Sequence, residues 1–272
     1  MSSNRDDNGR RSVEAEVEIR ATPEAVWKAI ASGPGVASWF MAMESEFDER
    51  VGGEIRTRMG EEMVKIGELT AWDPPHHFAS EGDDAYAPGT PRVGFEWTVE
   101  TKEGGTCVVR LVHSLFVDDD SWDTQLGDAE AGWAAFFHIL RNYVERHVEQ
   151  PSGVAQAMAP VSGTMDDAFA RLTSALGMTE LTPGAKVACA EDGAPHFTGE
   201  IEDVVHGPAA RVMIRLEKPF PGTGWIGVAS INGALRAQAS LYYYGEGAPD
   251  VGARDGAQLV QWLEAHGESG AS

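Results

Sequence analysis

Residues 93–116 carry a pattern that few folds can accommodate. Val93, Phe95, Trp97 and Val99 alternate with Gly94, Glu96 and Thr98, the period of a strand with one wet face. Lys102-Glu-Gly-Gly105 reads as a hairpin turn, and residues 107–116 return as the partner strand. Beyond it, Trp133, Phe136, Phe137, Leu140, Tyr143 and Val144 recur at three and four, an amphipathic helix running to about residue 148 with Asp128 as its expected cap. A hairpin followed by a long one-faced helix has to bury the two apolar faces together.

The upstream chain supplies the rest of such a layer. Val13, Ala15, Val17 and Ile19 alternate with Glu14, Glu16 and Glu18. Thr22 then precedes Pro23, the arrangement of an N-cap and a first helical residue, and predicts a helix over 23–31. Ser32-Gly-Pro-Gly35 reads as its stop, followed by a short helix over 36–40 carrying Trp39 and Phe40. Strands are expected at 43–49, 54–59, 63–72 and 77–81. The order is that of an α+β layer: one antiparallel sheet with helices on one face.

The second half of the 272-residue chain copies that order. Residues 150–163 are rich in Gly, Ala and Pro and read as a linker. A helix is expected over 165–176, strands near 187 and over 197–205, 211–217, 225–231 and 235–244, and a last helix over 253–265. Gly199-Glu-Ile-Glu-Asp-Val-Val-His-Gly-Pro208 lies over Gly67-Glu-Leu-Thr-Ala-Trp-Asp-Pro-Pro75 with one residue gained. The expected layout is a disordered lead-in at 1–11, a first domain at 12–149, the linker, and a shortened second copy at 164–268 whose early strands are missing or merged.

The motifs of residues 12–149 resemble the START-like, or SRPBCC, helix-grip superfamily, in its activator-of-Hsp90-ATPase-homologue-like branch. The resemblance is carried by Thr22-Pro23-Glu24 with Val26-Trp27, Trp39-Phe40, Val51-Gly-Gly53 before a strand, and Gly67-Glu68-Leu69 with Asp73-Pro74-Pro75. Val112-His113-Ser114 near the end of the last strand and the helix bearing Trp133 complete it. It implies a seven-stranded antiparallel sheet gripping the long helix, with a cavity between them. Residues on the inward faces would line it: Phe95, Trp97, Val109, Leu111 and His113 from the hairpin, and Trp133, Phe136, Phe137, Leu140 and Tyr143 from the helix. His113 and Tyr143 would be the polar handles.

Charge narrows the partners. Asp+Glu number 43 against 21 Lys+Arg, a formal charge of −22, which disfavours nucleic acid, because phosphate binding is driven by Lys/Arg and counterion release. It disfavours anionic membranes too, and no run approaches the ~20 apolar residues that span a bilayer. The first residues lack the apolar core of a secretory signal, so a cytoplasmic setting is expected.

Catalytic signatures are few. Cys107 and Cys189 lie in apolar runs outside any CxxC, as buried thiols would. His76-His77 sit where successive side chains diverge and are read as a loop pair. Asp118-Asp-Asp120, Asp123 and Asp128 lack the central Gly and terminal Glu of a calcium loop. Gly222-Thr-Gly224-Trp-Ile-Gly227 fits GxGxxG in letters but is followed by a strand pattern, and reads as a loop between strands. There is no GxSxG, phosphate-loop GxxxxGK or HExxH. Neither a metal nor an organic cofactor is expected. The leading expectation is non-catalytic binding of a small hydrophobic or amphipathic molecule in a closed pocket of a few hundred Å³. The resemblance implies two alternatives: a chaperone-associated interaction protein, and an enzyme of the polyketide cyclase or aromatase kind.

Overall fold

The computed structural model describes residues 4–5, 10–41, 43–59, 61–83, 91–117, 123–207, 209–231 and 234–267. The chain divides into two compact units, Met1–Val148 and Glu149–Ser272.

The first unit begins with β1 (Asn4–Arg5) and β2 (Arg10–Ile19). Helices α1 (Pro23–Ile30) and α2 (Gly33–Ala37) follow, then β3 (Ser45–Phe47), β4 (Glu54–Met59), β5 (Glu62–Asp73), β6 (His77–Gly82), β7 (Val93–Lys102), β8 (Thr106–Phe116) and α3 (Asp123–Arg146). The strands form one antiparallel sheet in the order β1-β2-β8-β7-β6-β5-β4-β3. Its eighth member is β1, where Asn4 pairs with Ser12 inside the expected lead-in. Gly104 and Gly105 both take positive φ, 83° and 76°, which lets the β7–β8 hairpin close at Lys102 and Thr106. The inward residues Ile19, Val109 and Leu111 are fully buried, as are Ile139 and Leu140 of α3. This is a helix-grip, α+β fold.

Two details of this unit differ from expectation. Helix α3 starts at Asp123, so Asp128 lies inside it and does not cap it; Asp118–Asp120 fall outside the described residues. Ser32-Gly-Pro-Gly35 does not merely stop α1 but opens α2, with Ser32 as N-cap accepting from the Gly35 N–H at 3.2 Å. Glycine is needed there because a Cβ on Gly35 would lie 2.0 Å from the Lys28 carbonyl oxygen, and one on Gly33 1.8 Å from that of Ser45.

The second unit comprises β9 (Ser152–Pro160), α4 (Met165–Ala175), β10 (Lys186–Cys189), β11 (Phe197–Val205), β12 (Ala209–Lys218), β13 (Gly222–Ile231), β14 (Ala234–Tyr244) and α5 (Ala248–Gly267). Its sheet runs β10-β11-β12-β13-β14-β9. The topology repeats the first: β9 stands beside β14 as β2 stands beside β8, and β10 to β14 follow the path of β4 to β8. Gly67 faces Ile55 of β4, and Gly199 faces Val187 of β10, in the same place of each sheet. Among the described residues the second unit has no counterpart of α2 or β3.

The linker reading of 150–163 is corrected: residues 152–160 are the first strand of the second sheet, paired along their whole length with β14. Gly153, Ala155, Ala157 and Ala159 alternate toward the core, and they are small because α5 lies directly on them. A Cβ on Gly252 would come within 2.6 Å of the backbone at Gly153 and Val154. Small residues at every second position look like a linker, yet here they are a period-two strand under a close helix. The GxGxxG letters also fall within a strand, β13, not in a loop or at a helix start. A Cβ on Gly222 would meet the Tyr242 carbonyl oxygen at 1.8 Å, so close strand packing accounts for that glycine. Among the described residues no helix is long and apolar enough to cross a membrane.

Candidate ligand cavity in the first unit

A recess of about 140 Å³, partly open to solvent, lies in the first unit and is lined by the inner face of the sheet, α2, the turn after it and α3. The local sequence builds its walls in order. Thr22 caps α1 by accepting from the Ala25 N–H at 3.3 Å, so α1 ends with Ile30 against the space. Helix α2 delivers Val36, and the turn after it places Trp39 and Phe40. Trp39 is held by its indole N–H, which donates to the Ala29 carbonyl at 2.9 Å. Alternation on β6 sends Phe78, Ser80 and Gly82 inward, and β7 sends Val93, Phe95 and Trp97. Strands β3 to β5 add Phe47, Ile55 and Ile66, and α3 adds Trp133.

The walls are largely aromatic and lock one another. Phe40 stacks on Trp133 with centroids 5.3 Å apart and planes 4° from parallel. Trp97 meets Trp39 edge-on at 6.1 Å and Trp133 edge-on at 5.8 Å, and lies nearly parallel to Phe78 at 6.2 Å. These separations fall in the range where ring quadrupoles favour offset and edge-to-face pairs. The polar contribution is small: the Ser80 hydroxyl, and Glu81, whose carboxylate is engaged by Arg92 at 3.2 Å.

Of the residues expected to line a cavity, Phe95, Trp97 and Trp133 do so. His113 stands one layer behind. Its ring stacks on Phe95 at 4.6 Å, and its Nδ1 accepts from the Trp133 indole N–H at 3.2 Å. Phe136 packs on Phe40 at 4.5 Å, and Phe137 lies 5.9 Å from Trp97. Val109, Leu111, Leu140 and Tyr143 are buried core. Phe137, Leu140 and Tyr143 of α3 are buried, while Trp133 of that helix and the Trp39-Phe40 turn line the space. That turn, and β6, were not assigned to the site from sequence. The inward alternation Phe78, Ser80, Gly82 was the signal that could have found them. The volume is also smaller than the few hundred Å³ expected.

Other candidates have local roles. His77 Nε2 lies 3.1 Å from a Glu96 carboxylate oxygen, and His76 Nδ1 lies 3.4 Å from the Val99 carbonyl, so the two rings do not converge. Cys107 and Cys189 are buried, and burial pushes both thiols up from their ordinary range. Among the described residues no three His, Cys, Asp or Glu side chains are grouped to hold a metal ion.

Residues 20–145 match the family described as activator of Hsp90 ATPase homolog 1-like protein. The first unit is a domain of that family. The matched span runs from the entry to α1 to the last turn of α3, so the whole wall of the cavity belongs to the Hsp90-activator-homologue-like domain. No curated protein matches the chain. Among solved structures, CalU16 from Micromonospora echinospora is 20% identical, covering 55% of this chain and 83% of its own at a TM-score of 0.42. The Aha1 dimer from Colwellia psychrerythraea is 19% identical, with 50% and 96% covered at 0.40. The di-domain ARO/CYC BexL from the BE-7585A biosynthetic pathway is 16% identical and spans both units, with 94% and 95% covered at 0.42.

Proposed function

We propose that the first unit binds a small apolar or amphipathic molecule in its aromatic cavity. The observation that carries this reading is the cavity itself: about 140 Å³ walled mainly by Trp and Phe with few polar groups. Close-packed interiors leave few voids larger than a water molecule. Apolar spaces take up apolar guests: an enclosed engineered cavity of about 150 Å³ is known to bind benzene. An apolar molecule entering here leaves water and gains dispersion contacts with walls already in place. The size limits the guest to one compact body unless the Trp39-Phe40 turn shifts outward.

Native mass spectrometry of freshly purified protein tests this, together with melting temperatures in the presence of apolar probes. A retained small-molecule mass, or stabilisation that grows with the logarithm of probe concentration, supports the reading. A protein that carries no extra mass and whose melting temperature is unmoved by benzene, toluene, p-cresol and indole does not use this cavity for binding.

A further inference from the structure

Ser80 and Trp97 give the cavity a chemical preference that its shape alone does not. Both line the space, and both are more than nine-tenths buried, at 6% and 7% exposure. Ser80 sits between the aromatic neighbours Phe78 and Phe95 on the inner face of the sheet. Among the described residues neither its hydroxyl nor the Trp97 indole N–H is hydrogen-bonded to another protein group. A hydroxyl on an apolar wall is left to bond solvent or the polar atom of a guest. Apart from Glu81, the rest of the described lining is aromatic rings, aliphatic side chains and glycine, so Ser80 is the neutral polar side chain that a guest meets.

From this we infer that the cavity selects a neutral, single-ring aromatic molecule bearing one hydrogen-bonding oxygen, a phenol being the simplest, with Ser80 as the specificity-determining residue. The inference rests on the binding reading given above and deepens it. Volume favours a single ring, since about 140 Å³ is close to that of an enclosed space known to hold benzene. The walls favour a flat guest, which can stack on or meet edge-on the rings of Trp97 and Trp133. The polar atom is set by Ser80, which can donate to an oxygen or accept from an O–H. Neutrality follows from Glu81: its carboxylate is already engaged by Arg92 at 3.2 Å, so the space offers neither a free anion for an ammonium nor a cation for a carboxylate.

Calorimetric titration of the full chain with p-cresol and with toluene tests this, on the wild type and on Ser80→Ala. The wild type is expected to bind p-cresol about 5-fold more tightly than toluene, the ratio that one modest hydrogen bond gives. Ser80→Ala should bring p-cresol to the level of toluene while leaving toluene unchanged. Its melting temperature should stay at or above that of the wild type, because among the described residues the hydroxyl it removes bonds no other protein group. Should Ser80→Ala fold poorly, Ser80→Cys keeps nearly the same size with a weak donor and should lower the ratio in the same direction. Equal binding of p-cresol and toluene by the wild type, a ratio indifferent to Ser80, or tighter binding of benzylammonium than of p-cresol would each overturn the phenol inference and leave the binding reading standing. No binding of either probe would remove both.

Discussion

The indole N–H of Trp133 donates to Nδ1 of His113 across 3.2 Å, tying the long helix of the first unit to its last strand directly behind the cavity wall. In this bond Nδ1 is the acceptor and the indole N–H the donor. The imidazole also stacks on Phe95 at 4.6 Å with planes 25° apart. Strand and helix thus support two wall residues through one side chain.

His113→Phe separates these roles. It keeps a ring against Phe95 and removes the acceptor, leaving a buried indole N–H unpaired. The expected cost is about 1–3 kcal/mol in urea denaturation. Trp133→Phe removes the donor. In a double-mutant cycle the pair should show a coupling energy of about 1 kcal/mol. Strict additivity would mean that the hydrogen bond contributes nothing measurable.

Phe40 controls the size of the cavity. It is half-buried, stacked on Trp133 at 5.3 Å and tilted against Phe136 at 4.5 Å. Phe40→Ala should destabilise the first unit by about 3 kcal/mol, the lower end for a phenylalanine because part of the ring is already in water. It should also raise the affinity for naphthalene relative to benzene, read as a larger rise in melting temperature. An unchanged preference would show that the turn carrying Phe40 collapses into the space instead of leaving it open.

The hairpin from Val93 to Phe116 and the helix face from Trp133 to Val144 were legible because period two and period 3.6 survive at nearly every position. The core assignment of Val109, Leu111 and Leu140 needed no more than that. The position of the cavity was not legible, because it depends on how the segments around it are seated. The α2 segment that lines it is seated by Gly35 against the end of α1 and by Gly33 against Ser45, close approaches that appear in sequence only as a break. Residues 152–160 failed for a related reason. Their alternation is Gly and Ala against Val, Gln and Met, and hydrophobic periodicity is weak when the buried positions are small.

Two glycines on α5 should respond in opposite senses. A Cβ on Gly256 would lie 3.6 Å from the Ala155 Cα, an ordinary contact. Gly256→Ala should therefore stabilise the second unit by about 0.5–1 kcal/mol through helix propensity. A Cβ on Gly252 would lie 2.6 Å from the Gly153 carbonyl carbon and the Val154 nitrogen. Both are backbone atoms and cannot swing aside, so Gly252→Ala must lift the helix from β9, at about 1–3 kcal/mol. Thermal melts of the two variants against the wild type check the difference in sign. Two stabilising outcomes would mean that α5 is not seated as described.

Tyr243 makes the second unit sensitive to alkali. Its hydroxyl donates to Asp255 Oδ2 at 2.9 Å, and Arg254 Nε donates to the other carboxylate oxygen at 2.8 Å. Tyr243 and Asp255 are 0% and 1% exposed. Burial raises the phenol above its ordinary value of 10.0, and the negative charge of Asp255 and the hydrogen bond donated to it add to the rise. A group raised in the folded state contributes stability that is fully present below its unfolded pKa and lost as pH climbs above it. In the unfolded chain Tyr243 ionises from about pH 10, while in the fold it stays protonated. Stability should therefore fall by about 1.4 kcal/mol per pH unit above that point on its account alone. Tyr243→Phe removes this slope. At neutral pH the variant should be less stable by about 1–3 kcal/mol, since a buried carboxylate loses one donor. The two stability curves should then converge between pH 10 and 11.5 in urea melts. Tyr242 and Cys189, whose ionisation is also pushed up by burial, act in both proteins and cancel in the difference. Curves that stay parallel across that range would show that Tyr243 ionises in the fold as readily as in the open chain, and that its bond to Asp255 does not hold the proton.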